Sequence, residues 1–582
     1  MCAGCVTLAF SSCLDTIILP DDKTVDEDFW KNKQDVALMV NSAYSAMSSD
    51  AIIERLIVWG GFRSDELTLA TSPAGNGIHD ALREIASVNM QTTNTFAEWA
   101  AFYNVINRCN IVLSRAGEVR NIDPNYGQGD YDADRSQMLA LRALCYFYLV
   151  RNYRDVPYFT EAYMQNSQNM QVAQSSPAYV IDRCIQDCEE AVKYALKASG
   201  FTTNNWQRVA WMTDDAINAL LADLYLWRAA VTHSAADYQR CVDYCNQVIE
   251  SKKAQHVTSR FDPADMVYPL AEGIKAYEDL FVNQNAEESI FELQMRNNNH
   301  AVQNYYFKYH ANGDSEGFLK ASSFFSSAAS VVANVSNDQV FSLNDLRYYA
   351  SCFSIGGTSE GNLDVRKMVS SQSLSKLESE KRSNNNWIAA DKTAPEINHN
   401  FIIYRLPEVM LMKAEAQIEL VDSTAATDVQ QAAMREPFDL IRVVNARSLI
   451  TKTDSMTWDK YKAYSKSDME QLVMQERLRE LCFEGKRWYD LLRYNYRHTD
   501  YTAEMYDQKL VKLNENNQLP KLYQEMKMLM ARGSGSDGPA VAAKMQNEAY
   551  LYLPVPNKDI IVCPALKQNP VYRNTANYEK SY

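Results

Sequence analysis

The stretch that decides the architecture is Gln475–Arg493, QERLRELCFEGKRWYDLLR, the densest run of charge in the chain. Ser467 and Glu470 stand where a capping box would start its helix. Glu476, Glu480 and Glu484 then recur every four residues, which stacks them on one face with Cβ atoms ~5–6 Å apart. That spacing resembles the ~5–5.5 Å between the carboxyl groups of a retaining glycosidase. Three like charges in a row repel, however, unless cations lie between them. Arg477, Arg479, Arg487 and Arg493 are the nearest candidates. An Arg–Glu lattice holds every carboxylate ionised and leaves no general acid. The run therefore reads as structural.

On either side of it the chain alternates in helical pairs. Thr95–Ala116 places Trp99, Phe102, Ile106, Cys109 and Val112 at three- and four-residue steps. Arg135–Tyr153 comes next, with Asp132 and Asp134 expected as its N-terminal acids and Tyr146, Phe147 and Tyr148 needing a large packing partner. Pro177–Leu196, Asp214–Ala230 and Asp237–Glu250 continue the pattern, and Pro407–Leu420 with Ala432–Ala446 makes a later pair. Degenerate helix pairs with small–large alternation predict a mainly α, tetratricopeptide-like superhelix. Strand signals are few and short: Glu288–Met295, Phe401–Leu406 and Leu551–Val555. Long polar stretches that carry aromatics, Arg296–Ser330 and Gly356–Asn400 among them, point to a loop-rich insert rather than plain disorder. The expected division is a signal segment at 1–13, a helical scaffold at 14–254, the insert at 255–400 and a helical segment completing the scaffold at 401–582.

Composition narrows the partners. The 582 residues carry 58 Lys+Arg against 73 Asp+Glu, a net charge of −15 that repels phosphate backbones and argues against nucleic acid. Hydrophobic residues at 46% with 23% charged exclude a disordered or polytopic membrane chain. At the start, Ala3–Phe10 is a short apolar run ending in Ser11, Ser12 and Cys13. It reads as a secretory leader whose Cys13 becomes lipidated, with the true start upstream because no Lys or Arg precedes the run. The remaining cysteines imply no disulfide framework. Cys184/Cys188 and Cys241/Cys245 are i,i+4 pairs that read as helix contacts rather than a four-thiolate metal site. GSGSDG at 533–538 lacks the preceding strand of a dinucleotide loop. Asp130, Asp132 and Asp134 lack the glycine and bidentate acid of a calcium loop. No HExxH or GxSxG pattern occurs, and no cofactor is expected.

With these blocks in view, the chain resembles the SusD/RagB family nearly end to end. ALRALCYFYLVRNYRDVP at Ala140–Pro157 is similar to that family's RA-YF-L---YGDVP motif, with Arg154 in place of the usual Gly. Arg405, Glu408, Met412 and Ala414–Ala416 resemble its R--E--LM-AEA helix, and Glu476–Leu491 its ER--EL-FEG-RW-DL block. Leu553–Pro556 and Gln568–Tyr572 resemble its closing PIP and QNPGY. Trp59–Asp65 and Trp99, Tyr103, Ile106, Asn110 resemble earlier blocks. The resemblance implies surface glycan-binding lipoproteins of Bacteroidetes. It further implies a tetratricopeptide-like scaffold, a loop-borne sugar site, an outer-membrane lipid anchor and a SusC-like TonB-dependent transporter as partner. It implies no catalysis.

The sugar-binding residues vary in such a family, so physical chemistry has to choose them. Sugars present CH faces ringed by hydroxyls, which aromatics stack and Arg, amides or carboxylates bond. Two loop regions offer both: Arg296–Phe325, with Arg296, Asn297, Tyr305, Tyr306, Tyr309 and His310, and Glu66–Asn94, with His79, Asp80 and Arg83. Trp387 lies in a third polar stretch. Adjacent Tyr305 and Tyr306 face opposite sides of an extended run, so at most one stacks. Non-catalytic capture of an oligo- or polysaccharide for import is the leading expectation. The alternative is a tetratricopeptide-type adaptor that binds only protein or peptide cargo.

Overall fold

The computed structural model describes residues 29–70, 77–165, 167–202, 205–255, 268–295, 317–322, 324–325, 340–342, 344–352, 365, 367, 399–451, 455–519 and 538–572. Helices dominate. In chain order the longer ones are α1 (Lys33–Met47), α2 (Asp50–Ile57), α3 (Gly77–Ala86), α4 (Ala100–Ile122), α5 (Gln128–Tyr153) and α6 (Pro177–Ala191). They continue as α7 (Asp214–Thr232), α8 (Ala235–Gln255), α9 (Leu406–Glu419), α10 (Thr427–Ala446), α11 (Lys466–Leu481) and α12 (Arg487–Arg497).

Each long helix packs on its neighbours in sequence, α4 on α5, α5 on α6, α6 on α7, α7 on α8 and α9 on α10. The array also continues across residues 256–405, because α8 packs directly on α9. Two central helices are buried on every side. In α5 every residue from Ser136 to Tyr153 is buried, and in α7 every residue from Asp215 to Trp227. A helix buried all round is stable only inside other layers. Tyr146, Phe147 and Tyr148 find their partners in Tyr158, Trp227 and Tyr489. Local signals set the ends: the Asn32 side chain caps α1 with Asp35 in reciprocal contact, and Ser176 caps α6 ahead of Pro177.

Three two-stranded antiparallel ladders accompany the helices: β1 (Leu67–Leu69) with β5 (Leu319–Ala321), β2 (Val156–Pro157) with β3 (Gln174–Ser175), and β4 (Ser289–Leu293) with β6 (Phe401–Arg405). Two of the three strand expectations thus pair with each other. The third, Leu551–Val555, is not a strand: Glu548–Leu551 is a 3-10 turn and the chain beyond it is extended without a ladder. Pro554 and Pro556 have no N–H to give. The remaining donors find single partners, Leu553 N–H on the Asn152 carbonyl at 2.8 Å and Val555 N–H on Gln568 Oε1 at 2.8 Å.

Two helix starts also differ from expectation. α11 is capped by Ser465 with Asp468, two residues ahead of Ser467 and Glu470. Glu470 instead takes the guanidinium of Arg497 at 2.9 Å and His498 Nε2 at 3.1 Å. α5 begins at Gln128, so Asp132 and Asp134 lie in its second turn, Asp134 accepting the Tyr126 hydroxyl at 3.0 Å.

The Arg–Glu lattice exists, but its cations come mostly from elsewhere. Glu476 is held by Arg347 at 2.7 Å and by Arg479. Glu480 is held by Arg347, Arg405 and Arg447 at 2.9, 2.5 and 2.5 Å. Glu484 takes Arg405 and Lys367 at 2.7 and 2.6 Å. Of the four arginines expected, only Arg479 touches the stack. Arg477 forks onto Asp490, Arg493 onto Glu415 and Arg487 onto Asp65. Burial alone would push Glu480 up, yet the three guanidinium groups hold it well below the carboxylate range. Glu476 and Glu484 are depressed in the same way, by Arg347 and by Arg405 with Lys367. All three remain ionised, as a structural lattice requires.

Candidate functional site

The lattice reaches the loop regions through one turn. Between α11 and α12 the chain passes Cys482–Lys486, where Phe483 (φ 65°) and Gly485 (φ 71°) lie in the left-handed region. A side chain at Gly485 would come 2.6 Å from the Leu56 carbonyl oxygen, so only glycine allows this approach to α2. The strain at Phe483 is held by Glu66, whose Oε2 accepts the Phe483 N–H at 3.1 Å. Burial pushes Glu66 up to about 8, because Phe483 N–H and the charges of Arg487 and Lys367 offset only part of the desolvation. Next to it, Asp65 accepts both prongs of Arg487 at 2.8 and 2.9 Å.

The backbone of Asp65 and Glu66 also anchors the adjoining strand pair. Their carbonyls accept the Ser322 hydroxyl at 2.5 Å and the Ser322 N–H at 3.0 Å, which sets the register of Leu67 opposite Ala321 and Leu69 opposite Leu319. Phe325 is buried and packs on Phe341 and Phe483. The ladder closes with Ala70 N–H on the Phe318 carbonyl at 2.8 Å. Parts of the two segments singled out in sequence, 67–70 and 318–322, are therefore paired in one antiparallel ladder.

Beside the Ala70 end of the ladder sits α3. His79 is buried, with Nε2 3.2 Å from the Ala70 carbonyl and Nδ1 3.0 Å from Arg83 Nη2. The Nε2–H tautomer satisfies both, donating to Ala70 and accepting from Arg83. Arg83 Nη1 donates to Asp80 Oδ1 at 3.0 Å, while both side chains stay more than half exposed, 57% and 52%. His79 thus orients Arg83, and Arg83 with Asp80 offers oriented donors and an acceptor to solvent. Arg296, Asn297, Tyr305, Tyr306, Tyr309, His310 and Trp387, like Cys13, lie outside the described residues. Sequence reading missed Glu66 and Ser322, which carry the ladder, and the part played by Asp65. Asp65 ends the Trp59–Asp65 block, but nothing in the sequence signalled its bond to Arg487.

Among the described residues no cluster of three or more His, Cys, Asp or Glu side chains is placed to hold a metal ion. Cys184, Cys188, Cys241 and Cys245 are all buried, and burial pushes the first three well above the usual thiol range. Such thiols pack as small apolar groups. No described helix is long and apolar enough to cross a membrane.

Comparison with known proteins agrees with this architecture. Residues 287–572 match the profile of the "SusD family", and residues 28–226 match a profile described as "Starch-binding associating with outer membrane". Neither description names a catalytic activity. SusD-like protein P38 of Formosa agariphila is 24% identical over 501 residues, covering 82% of this chain and 86% of that one. SusD-like protein P2 of the same organism is 22% identical over 523 residues, 84% and 88% of the two chains. A SusD homolog from Bacteroides thetaiotaomicron superposes with TM-score 0.64 at 17% identity, over 93% of this chain and 98% of that one. A SusD superfamily protein from Bacteroides vulgatus gives 0.62 at 18% identity, over 93% and 99%. Two profiles in chain order, relatives matched over more than four fifths of both chains and one shared fold lead to a single conclusion: this chain belongs to the SusD/RagB family.

Proposed function

We propose that this protein captures an oligo- or polysaccharide at the cell surface, without catalysis, and delivers it to a TonB-dependent outer-membrane transporter while anchored through a lipid on Cys13. The observation that carries the reading is the β1–β5 ladder, which pairs Leu67–Leu69 with Leu319–Ala321 beside the oriented Arg83–Asp80 pair. Family membership and the "starch-binding" description of the N-terminal profile support a glycan as cargo. The ionised lattice supports binding over hydrolysis, because its carboxylates have no proton to give. The glycan-contacting set is Tyr305 or Tyr306, Tyr309, His310, Arg296, Asn297 and Trp387 with Asp80 and Arg83, positioned by His79.

Native affinity electrophoresis of the chain from Leu14 onward, with polysaccharides cast in the gel, tests this. Retardation by one polymer and not by others is expected, with loss of retardation in Tyr305→Ala, Tyr309→Ala or Trp387→Ala. No retardation by any polymer, together with retained transporter capture, would replace this reading by an adaptor that binds only protein or peptide.

A further inference from the structure

A second buried polar cluster lies where α8 meets β4. Lys252 of α8 is 1% exposed, and its Nζ donates to the carbonyls of Ser289 at 2.6 Å and Glu287 at 3.2 Å. Among the described residues these are its only bonds. Its cationic neighbour is Arg208, buried on the short helix Gln207–Ala210. Arg208 Nη2 donates to the Ala286 carbonyl at 2.9 Å, while Nε and Nη1 are buried without an acceptor among the described residues. The carboxylates around the two cations are committed elsewhere. Asp215 of α7 accepts Gln255 Nε2 at 2.9 Å, Glu292 of β4 accepts Asn400 Nδ2 at 2.9 Å, and Glu288 takes Arg447 at 2.7 Å. The remaining charges are Asp214, felt by Asp215, and Glu287, felt by Arg208. α9, which also packs on α8, turns Glu408 to Lys486, Lys413 to Glu436 and Glu415 to Arg493.

We propose that Lys252 is a proton-sensitive latch between α8 and β4, closed by the free amine and loosened when the amine is protonated. Donor count comes first. An ammonium group has three N–H donors and this site gives it two acceptors, so one donor stays buried and unpaired. A neutral amine has two N–H donors and fills both. Charge points the same way. Of two neighbouring buried cations only lysine can give up its proton, because a guanidinium stays charged. Burial, with Arg208 adding to it, pulls Lys252 down to about 7, and Asp215, Glu292 and Glu288 offset only part of this. The strand that the latch holds matters to the scaffold. Ser289 stands opposite Arg405 in the β4–β6 ladder, and the Glu288 carbonyl accepts the Leu406 N–H at 2.8 Å. Lys252 therefore ties α8 to the strand pair that places Arg405 on Glu480 and Glu484.

Native-state hydrogen exchange of the β4 amides tests the latch, read peptide by peptide in the full chain between about pH 6 and pH 8 and compared with Lys252→Met. Opening returns the amine to its ordinary value of about 10.4, so the open form binds more protons than the closed one. Closure therefore strengthens as pH rises through about 7. Taken as a ratio to Lys252→Met, in which the intrinsic exchange rates cancel, the opening constant of wild type should fall about tenfold from about pH 6 to pH 8. A ratio that does not change with pH means a lysine charged in both forms and overturns the inference. Burial also pushes Asp215 and Glu292 up, so the comparison is repeated with Asp215→Asn and Glu292→Gln in both proteins. The change should persist there; its loss would assign the proton to a carboxylate and overturn the latch. Arg208→Met keeps Lys252 and removes the neighbouring cation, so the pH at which β4 protection begins to rise should move upward. An unmoved onset overturns the inference, and a folding failure of Lys252→Met leaves this variant decisive.

Discussion

Glu480 is the centre of the buried lattice, and replacing it by Gln tests the claim that the lattice is structural. The carboxylate is 3% exposed and lies between Arg347, Arg405 and Arg447. Glutamine keeps the shape but removes the charge and replaces one acceptor oxygen by an NH2 that faces cations. Removing one member of a buried ion pair costs about 3–5 kcal/mol. The low end applies here, because Arg347 keeps Asp345 and Glu476, Arg405 keeps Glu484 and Arg447 keeps Glu288. At about 1 °C per kcal/mol for a chain of this length the melting temperature should fall by roughly 3 °C at pH 7. The pH dependence gives a second readout. A carboxylate depressed in the fold contributes stability that is present above the ordinary carboxylate range and lost as pH falls through its depressed value. The gap between wild type and Glu480→Gln should therefore narrow as the pH is lowered below about 4. Differential scanning calorimetry with urea unfolding measures both. A Glu480→Gln protein within about 1 kcal/mol of wild type at pH 7 would refute the assignment, since that is what an exposed ion pair is worth.

The same geometry gives other expected outcomes. Glu66 is raised to about 8, so folding favours its protonated form; stability from this group is full below the unfolded value and declines as pH rises toward 8. Glu66→Gln should gain on wild type across pH 5–8, on the order of 2–3 kcal/mol by urea unfolding, and a gap that does not change with pH would remove the argument. Arg154 has φ 65° where the family's motif has Gly, yet its guanidinium reaches Tyr501, Asp155 and the carbonyls of Met505 and Gln508. Arg154→Gly relieves about 1 kcal/mol of strain but breaks a buried charge network worth about 3–5 kcal/mol, so it should destabilise and expose 501–510 to limited proteolysis. Gly60→Ala places a methyl group inside the Gly485 backbone and should abolish soluble expression, whereas Gly127→Ala, with open space around it, should not. His79→Phe removes the acceptor for Arg83 and should weaken retardation by the cognate polysaccharide about threefold to tenfold with the melting temperature within a few degrees of wild type, as read by affinity gels and scanning fluorimetry.

The helix pairs were legible because their apolar faces repeat at helical spacing, and β4 and β6 because five-residue apolar runs stand out from polar surroundings. The ladder that organises the site was not. β1 and β5 are three residues each, too short for a period of two to register, and what pairs them is Ser322 on the Asp65 and Glu66 carbonyls. The lattice shows the same division. Its carboxylates were visible as an i,i+4 stack, but Arg347, Lys367, Arg405 and Arg447 reach it from distant segments, and ion pairing leaves no periodic trace. Ser467 and Glu470 satisfied the capping pattern and lost to Ser465 and Asp468 because Glu470 is claimed by Arg497 and His498. The candidate site was half legible: composition marked both loop regions, and only the fold shows that 67–69 and 319–321, one stretch from each, pair in one ladder.

The register of Leu67 on Ala321 has a kinetic consequence. Its two strands lie about 250 residues apart in the chain, whereas the helix pairs α4–α5, α7–α8 and α9–α10 close loops of 5, 2 and 7 residues. Loop-closure entropy makes such distant pairings late events, so the helical array condenses first and the ladder zips onto it afterwards. A ladder assembled last lies outside the folding nucleus. Substitutions there accelerate unfolding or alter binding but leave the rate of folding intact. Sequence change at the ladder therefore leaves the folding of the scaffold that carries it intact.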